Sequence, residues 1–249
     1  MYVDAHLHIK NAVDRLADQG YPGEKTLVCA SSCTLEEFEW HEAFARTRAG
    51  RVYLSHGIHP QQPLVDHAAL LDSLCQSHRL DAIGETGFDL FTPEYRATLP
   101  LQRAVWDLQL DLAHAFSLPL IIHCRKGMDL IFADSRRLKK LRAIIFHGWP
   151  GSAVEAQSLL ARGINAWFSA GKGLLRGDRS LIETVRTVPP QRLLSETDAP
   201  WMQMKGEVAT HPHDIKAVVA LMARIRQISP TEMEGLLELN FRSVFPGTP

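Results

Sequence analysis

Two histidines near the start of the chain stand two residues apart, at the end of a short apolar run. His6 and His8 follow Tyr2 and Val3, and side chains at positions i and i+2 of a β-strand point to the same face. Two imidazoles on one face can bind one metal ion together. A single His-x-His pair is a weak signal in a chain with 12 histidines. The interpretation therefore depends on what else converges on the pair.

Four further residues with nitrogen or oxygen donors stand at or just after the end of other short apolar runs. They are Glu85 in Gly-Glu-Thr-Gly, His123 in Ile-Ile-His-Cys-Arg, His147 in Ile-Phe-His-Gly and Asp198 in Glu-Thr-Asp-Ala-Pro. Imidazoles and carboxylates are ligands that Zn, Mn, Mg and Fe accept. The repeated placement favours a metalloenzyme over an isolated motif. Four other histidines lie in polar or helical stretches and are interpreted as ordinary: His41, His67, His78 and His114.

Eight short apolar or β-branched runs alternate with longer stretches that are compatible with helices. The predicted strands span residues 2–5, 26–30, 52–55, 81–84, 119–122, 142–146, 165–169 and 192–195. The predicted helices span residues 35–48, 64–78, 94–117, 127–139, 152–162, 178–187, 212–228 and 230–244. Thr34 with Glu37 and Ser229 with Glu232 are typical of capping boxes at helix starts.

This alternation predicts a parallel sheet, and eight such units in 249 residues fit a (β/α)8 TIM barrel. We expect one domain, residues 1–249. A doubly wound sheet is the alternative, but no Gly-x-Gly-x-x-Gly follows the first strand. Residues 9–25 contain Gly20, Pro22 and Gly23 and leave room for only a short helix.

A barrel would give the six metal-binding candidates one location, because catalytic groups of such barrels lie at the C-terminal ends of the strands. Six ligands are too many for one tetrahedral catalytic ion, which takes three protein ligands and a water. Two ions ~3.5–4 Å apart would use them all. We expect Glu85 to bridge the two ions. The first ion would take His6, His8, Glu85 and Asp198, and the second Glu85, His123 and His147.

The composition excludes several other classes of protein. The formal net charge is −1, so no bulk basic surface is expected, and any nucleic acid would bind locally. The N-terminus lacks the apolar run of a signal peptide, and no stretch approaches ~18 apolar residues. These features predict a cytoplasmic protein that does not enter membranes. The four cysteines are expected to be buried reduced thiols, and a zinc knuckle at Cys29 and Cys33 lacks a second cysteine pair.

The order of these motifs resembles the TatD family of metal-dependent hydrolases, within the amidohydrolase superfamily. His-x-His, Gly-Glu-x-Gly, His-x-Arg, Phe-His and Glu-Thr-Asp-Ala-Pro follow one another between residues 3 and about 245, and Gly57-Ile58-His59-Pro60 is a further family-like segment. The resemblance implies a TIM barrel, a divalent two-metal centre and phosphodiester hydrolysis, often exonuclease action on DNA from the 3′ side. The family's metal ligands carry over to all six candidate positions.

The chain departs from the family pattern mainly where substrate would bind. Lys126 and Gly127 follow His-x-Arg, where the family commonly has an acidic residue. Residues 146–151 read Phe-His-Gly-Trp-Pro-Gly in place of Phe-His-Cys-Phe-Ser-Gly. The family's Arg-Asn-x-Pro segment appears as Thr-His-Pro at 210–212, and the first loop and helix are shorter than usual. These departures leave the predicted metal ligands intact.

The predicted chemistry is hydrolysis by a water molecule that the metals activate. Asp198 would take the proton of that water as a general base, and Glu85 would hold both ions. Arg125 faces the same side as His123 and offers a fork suited to phosphate, with a salt bridge as its alternative role. His59 would hydrogen-bond a phosphate or leaving-group oxygen, with a structural turn before Pro60 as the alternative.

Four further residues in the predicted mouth loops are interpreted mainly as surface or loop packing, with substrate contact as the alternative: Lys126, Lys172, Trp149 and Trp201. Three functions are compatible with the sequence. The leading one is a two-metal phosphoesterase, in particular a deoxyribonuclease that acts on DNA or a small phosphodiester and needs no obligate protein partner. The second uses the same centre to hydrolyse a C–N or C–O bond of an amide, lactone or ester. The third is a non-catalytic metal-binding scaffold, which a missing ligand would favour, and none is missing.

Overall fold

The computed structural model describes residues 1–48 and 50–245, and its strands form one parallel sheet in chain order from β1 to β8. Each strand pairs in parallel with the next one along the chain. The predicted (β/α)8 barrel is confirmed. Residue 49 and residues 246–249 of the predicted domain lie outside the described part. The strands are β1 Tyr2–Leu7, β2 Thr26–Ser32, β3 Val52–His56, β4 Ala82–Asp89, β5 Leu120–Arg125, β6 Ile144–Phe146, β7 Ala166–Ala170 and β8 Leu193–Ser195.

Hydrogen bonds at and just beyond the end of β8 bring the last strand beside the first. The Asp198 N–H donates to the His6 carbonyl at 3.0 Å, and the His8 N–H donates to the Ala199 carbonyl at 2.7 Å. The Ser195 hydroxyl donates to the Val3 carbonyl at 2.6 Å. Closure of the barrel therefore places the two N-terminal histidines next to a residue near position 200 of the chain.

Helices follow the strands and cover the outside of the barrel. The helices are α1 Ile9–Leu16, α2 Leu35–Thr47, α3 Ala68–Gln76, α4 Pro93–Ala97, α5 Leu99–Ala115, α6 Met128–Ala133, α7 Ser135–Leu138, α8 Ala153–Ala161, α9 Arg179–Thr187, α10 Ile215–Arg226 and α11 Pro230–Val244. Short 3₁₀ turns lie at Ala17–Gly20, Val65–His67, Pro190–Arg192 and Pro212–Asp214. Among the described residues, no helix combines the length and apolarity needed to cross a bilayer.

Local sequence signals explain several helix boundaries. The predicted capping boxes of Thr34 and of Ser229 both form. The predicted single helix at 94–117 is wrong, because the structure divides it into α4 and α5 around Thr98. Pro100 lies in the first turn of α5, where its missing N–H does no harm, whereas inside a continuous helix its ring would clash with a preceding carbonyl. The structure likewise divides the predicted helix at 127–139 into α6 and α7.

Six strands extend past their predicted C-terminal ends, and three of these extensions carry candidate metal ligands. β1 continues through His6, β4 continues from Glu85 to Asp89, and β5 continues through His123 to Arg125. Isoleucine, valine and leucine side chains fill the sheet at lower levels, so the polar groups lie above the apolar core, at the C-terminal end of the barrel. α1 is eight residues long, the short first helix that the sequence predicts.

Candidate metal centre

His6 and His8 are both buried at the C-terminal end of β1. His6 Nδ1 lies 2.9 Å from the Ser31 hydroxyl, in a hydrogen bond that fixes the orientation of the ring. The other ring nitrogen, Nε2, therefore faces the mouth of the barrel. The Ser31 hydroxyl also lies 2.9 Å from that of Ser55, so β1, β2 and β3 are connected below the site.

Asp198 reaches the mouth from the turn that follows β8. Its φ of 56° puts it in the left-handed region, which few non-glycine residues adopt. The preceding Thr197 is held by the buried Asp4, whose carboxylate accepts the Thr197 N–H at 2.9 Å and the Thr197 hydroxyl at 2.6 Å. The carboxylate of Asp198 consequently has a position defined by β1.

A first cluster of possible metal ligands comprises His6, Glu85, His147 and Asp198. One donor atom from each lies within 4.8 Å of the others. Glu85 Oε1 lies 2.7 Å from His6 Nε2 and 3.3 Å from His147 Nε2. Asp198 Oδ1 lies 3.6 Å from His6 Nε2. Four side chains from four regions of the chain therefore surround one point.

A second cluster shares Glu85 and adds His59 and His123. His59 Nε2 lies 3.1 Å from Glu85 Oε2, the oxygen opposite the one that faces His6. His123 Nδ1 lies 3.4 Å from His147 Nε2, so His147 stands between the two clusters. The sequence predicted His147 beside His123 and predicted a substrate contact for His59. The structure keeps that neighbourhood and also places His59 against the shared carboxylate.

His8 lies beside the first cluster, slightly farther from the carboxylates than His6 does. Its Nε2 is 3.8 Å from Asp198 Oδ1 and 3.9 Å from Glu85 Oε1. Burial lowers the pKa of His8 to about 3, so the ring is neutral at ordinary pH. A neutral imidazole is the form that binds a metal ion.

The donor set fits divalent cations. His6 Nε2 is buried and, despite its closeness to Glu85, has no hydrogen-bond partner among the described residues. Burial raises the pKa of Asp198 well above its usual value, and Glu85 and Glu196 add to the effect. Burial lowers the pKa of His147, but Glu85 and Glu196 outweigh it and raise the pKa to about 10. Buried carboxylates this close together need positive charge, which a bound divalent cation supplies.

Asp89, at the end of β4, holds His123 from behind, and the sequence interpretation missed it. The buried Asp89 Oδ2 accepts a hydrogen bond from the Gln61 amide at 2.8 Å and lies 3.1 Å from His123 Nε2. Burial opposes ionisation of Asp89, but these hydrogen bonds outweigh it and keep its pKa well below the usual value. With the Nε2–H of His123 donating to Asp89, the Nδ1 lone pair faces His147 and the centre.

Glu196 supports His147 in a similar way. The buried Glu196 Oε1 lies 3.4 Å from His147 Nδ1 and accepts the Gly148 N–H at 2.6 Å. A carboxylate behind a metal-binding imidazole orients the ring and makes it more basic. Sequence position could have indicated both supporting carboxylates. Asp89 is four residues beyond Glu85, and Glu196 is two residues before Asp198, so each has the spacing of a same-face neighbour on a strand.

Arg125 stands at the exposed end of β5, two residues beyond His123. Its Nη1 lies 3.6 Å from Asp89 Oδ2, and its Cζ lies 4.0 Å from the centre of the Phe91 ring. The guanidinium remains 43% exposed, so it retains donors for an incoming anion. The structure shows the salt bridge that the sequence offered as the alternative role, and the phosphate contact stays a prediction.

The other predicted mouth residues take different positions. Trp149 is buried against Phe168, with ring centres 4.7 Å apart, so it packs in the core and does not face substrate. Trp201 is exposed beside His8. Lys172 is buried, in ion pairs with Glu207 and with Asp214, which tie the β7 loop to the segment after β8. The four cysteines are free thiols, as expected; Cys29, Cys75 and Cys124 are buried, whereas Cys33 is partly exposed.

Comparison of the sequence with known proteins identifies relatives over nearly the whole chain. The family model described as TatD related DNase matches residues 3–246. A protein of Erwinia amylovora named 3′-5′ ssDNA/RNA exonuclease TatD is 30% identical over 218 residues, which cover 82% of each chain. A Mycobacterium tuberculosis protein named uncharacterized metal-dependent hydrolase TatD is 29% identical over 266 residues, covering 98% of this chain and 97% of that protein.

Solved structures with the same fold agree with these matches. A TatD homologue from Escherichia coli superposes with a TM-score of 0.82 at 23% identity, covering 100% of this chain and 98% of that one. An uncharacterized amidohydrolase from Saccharomyces cerevisiae gives a TM-score of 0.77 at 14% identity, with 98% and 99% coverage. At these identities the likeness concerns the fold alone. Together with the match over residues 3–246, it confirms the resemblance seen in the motifs. The chain belongs to the TatD-related DNase family.

Proposed function

We propose that this protein is a divalent-metal-dependent hydrolase that cleaves phosphodiester bonds in DNA, in the manner of a 3′ exonuclease. The observation that carries the proposal is the position of Glu85, which is shared by two clusters of possible metal ligands. A shared carboxylate between two adjacent ligand sets is the arrangement of two-metal phosphoesterases. Family membership and the exonuclease name of a relative support DNA as the substrate.

The proposed ligands are those of the motif pattern, and the two clusters support the assignment in part: His147 groups with His6 in the first cluster, next to His123, and His8 lies beside that cluster. The first ion would be held by His6, His8, Glu85 and Asp198, and the second by Glu85, His123 and His147. His59 would bind a substrate oxygen from its place against Glu85 Oε2. The ions are two per chain and drawn from Zn, Mn or Mg, which all accept nitrogen and oxygen ligands. A cytoplasmic location without an obligate protein partner is part of the same proposal.

The protein's own groups divide the work around the scissile bond. When bound, the two cations polarise the phosphoryl oxygen and make water acidic enough to be deprotonated near neutral pH. The Asp198 carboxylate takes the proton of the attacking water as a general base. Arg125 binds the phosphate through its exposed guanidinium. Asp89 and Glu196 keep His123 and His147 in the ring orientation that the centre needs.

The alternative of an amide, lactone or ester substrate has less support from the mouth of the barrel. Such substrates favour an apolar, uncharged pocket. The exposed Arg125 and Lys126 instead lie together at the edge of the centre, where a phosphodiester would meet them. The likeness to amidohydrolase structures concerns the fold and does not favour that substrate.

The proposal is tested by metal analysis of the purified protein followed by a substrate panel. The panel contains a 5′-labelled single-stranded oligonucleotide, a phosphomonoester and a lactone, each with Mn, Mg or Zn. We expect stepwise loss of 3′ nucleotides from the oligonucleotide. Asp198→Asn protein, purified in parallel, controls for contaminating nuclease. Hydrolysis of the lactone with an intact oligonucleotide would overturn the proposed substrate and favour the second function.

A further inference from the structure

Two exposed aromatic side chains border the candidate metal centre from opposite sides. Phe91, in the turn after β4, is 49% exposed, and Trp201, in the turn after β8, is 37% exposed. Phe91 contacts the end of β5, and Trp201 lies beside His8 at the end of β1. In a barrel with strands in sequential order, the β4–β5 and β8–β1 junctions are diametrically opposite. The metal ligands lie between the two rings.

Phe91 is anchored through its backbone and surrounded by positive charge. Its N–H donates to Asp89 Oδ1 at 2.9 Å, so its position is tied to the residue that holds His123. The Arg125 Cζ lies 4.0 Å from the ring centre and the Lys126 Nζ lies 5.1 Å from it. Nearly half of Phe91 remains exposed with both cations in place, which leaves ring surface for a planar ligand.

Trp201 has the same combination on the other side of the centre. Its backbone N–H donates to the Asp198 carbonyl at 2.7 Å, so its position is tied to the proposed general base. The Arg15 Cζ lies 4.2 Å from the indole, and the ring centre of His8 lies 6.3 Å from it. Each aromatic thus presents a flat apolar face and an adjacent cation within reach of the metal ligands.

From this arrangement we infer that Phe91 and Trp201 are stacking platforms for two unpaired nucleobases, one on each side of the bond that is cleaved. Arg125 with Lys126 on one side and Arg15 on the other attract the sugar–phosphate backbone of the same strand. The inference rests on the proposed nuclease function and defines its substrate more closely. Aromatic side chains stack on any base, and arginine adds cation–π attraction. Bases inside a duplex are already stacked on their neighbours, so such platforms select single strands and frayed ends.

Charge and surface pattern favour a nucleic-acid strand as the occupant. The chain's net charge is −1, yet three cations stand beside the two mouth aromatics. Singly exposed apolar residues are normal on protein surfaces. Val154 on α8 and Leu239 on α11 are examples, at 73% and 70% exposure. Phe91 and Trp201 differ from these residues in two ways. An arginine side chain lies over each ring, and each backbone N–H donates a hydrogen bond to a residue of the centre.

The test pairs each aromatic with the base it is expected to hold. kcat/KM is measured for wild type, Phe91→Ala and Trp201→Ala on single-stranded oligonucleotides that are either intact or carry one abasic residue, at the 3′-terminal or penultimate position. Loss of one stacked base lowers kcat/KM by roughly 5- to 150-fold. We expect wild type to lose activity in this range at both abasic positions. Each alanine variant should lose activity on the intact strand but show no further loss when the matching base is absent.

Matched variants separate stacking from structure. Phe91→Trp and Trp201→Phe retain an aromatic face and are expected to restore activity, whereas Leu239→Ala is expected to match wild type. The inference would be overturned if an alanine substitution lowered kcat/KM relative to wild type by the same factor on the abasic strands as on the intact strand. It would also be overturned if wild type cleaved the intact and abasic strands equally well. In both cases the nuclease function would stand. Failure of wild type to cleave any oligonucleotide would instead overturn the proposed function itself.

Discussion

Substitution of Asp89 by Asn tests whether this buried carboxylate controls the second metal cluster. The change keeps the size of the side chain but removes its charge. Asp89 Oδ2 accepts from Gln61 at 2.8 Å and lies 3.1 Å from His123 Nε2. A hydrogen bond to an ionised group contributes about 1 kcal/mol more than one to a neutral group. For the bond to His123 this difference corresponds to about 1 kcal/mol, or about 5-fold in affinity, and groups behind metal ligands typically contribute up to ~10–100-fold.

The assay is a titration of metal-free protein with Mn or Zn against a chromogenic chelator, which reports the dissociation constants of both sites. We expect the Kd of the His123 site to rise ~5- to 100-fold and that of the His6 site to change little. Asp134→Asn is the matched control, because Asp134 accepts from Trp106 at 2.7 Å in the outer helical layer, away from the centre. If Asp89→Asn folds normally and both constants stay within about threefold of wild type, Asp89 does not orient His123.

Three further predictions follow from the site and its surroundings. Asp198→Asn should lower kcat by ~10²–10⁴-fold with metal in excess, the usual effect of losing a general base; activity within a few-fold of wild type would remove Asp198 from proton transfer. Chelation of metal should lower Tm by about 5–10 °C relative to protein with metal at about 100 times Kd, since such binding contributes ~2.7 kcal/mol; an unchanged Tm in calorimetry would contradict metal binding to the folded state. Burial lowers the pKa of His41 to about 3, so the folded state resists protonation and its stability falls as pH drops below about 6.5. His41→Gln keeps an acceptor for the Lys10 N–H and should flatten the decline of Tm between pH 7 and pH 4; an identical decline would exclude His41 as a cause.

Much of the fold could be predicted because each strand of this barrel is a short apolar run bounded by turn residues. Once the barrel was assumed, the rule that functional groups lie at the C-terminal ends of strands placed six separated residues at one mouth. The structure brings together four of them in the first cluster and His123 in the second, with His8 alongside. Helix starts were predictable where a side chain caps the backbone, as at Thr34 and Ser229.

The parts that were missed depend on where strands end and on contacts between distant segments. Strand 4 was predicted to stop at 84, but it continues to Asp89. Residues 85, 87 and 89 lie on the same face of that extension, because every second residue of a strand points the same way. The Asp89 side chain therefore points to the same side of the sheet as that of Glu85. The burial of Lys172 depends on Glu207 and Asp214, which are 35 and 42 residues away along the chain. Local pattern contains no information on such pairings.

The number of divalent ions per chain is the measurement that tests the two-metal centre most directly. It is obtained by inductively coupled plasma mass spectrometry on wild-type and Glu85→Ala protein, each saturated with Mn and freed of excess metal by gel filtration. Glu85 is the residue that the two described clusters share, so its loss should affect both ions. We predict two ions per chain in the wild type and fewer than one in Glu85→Ala. One ion in the wild type, or two tightly bound ions in the variant, would contradict a centre bridged by Glu85.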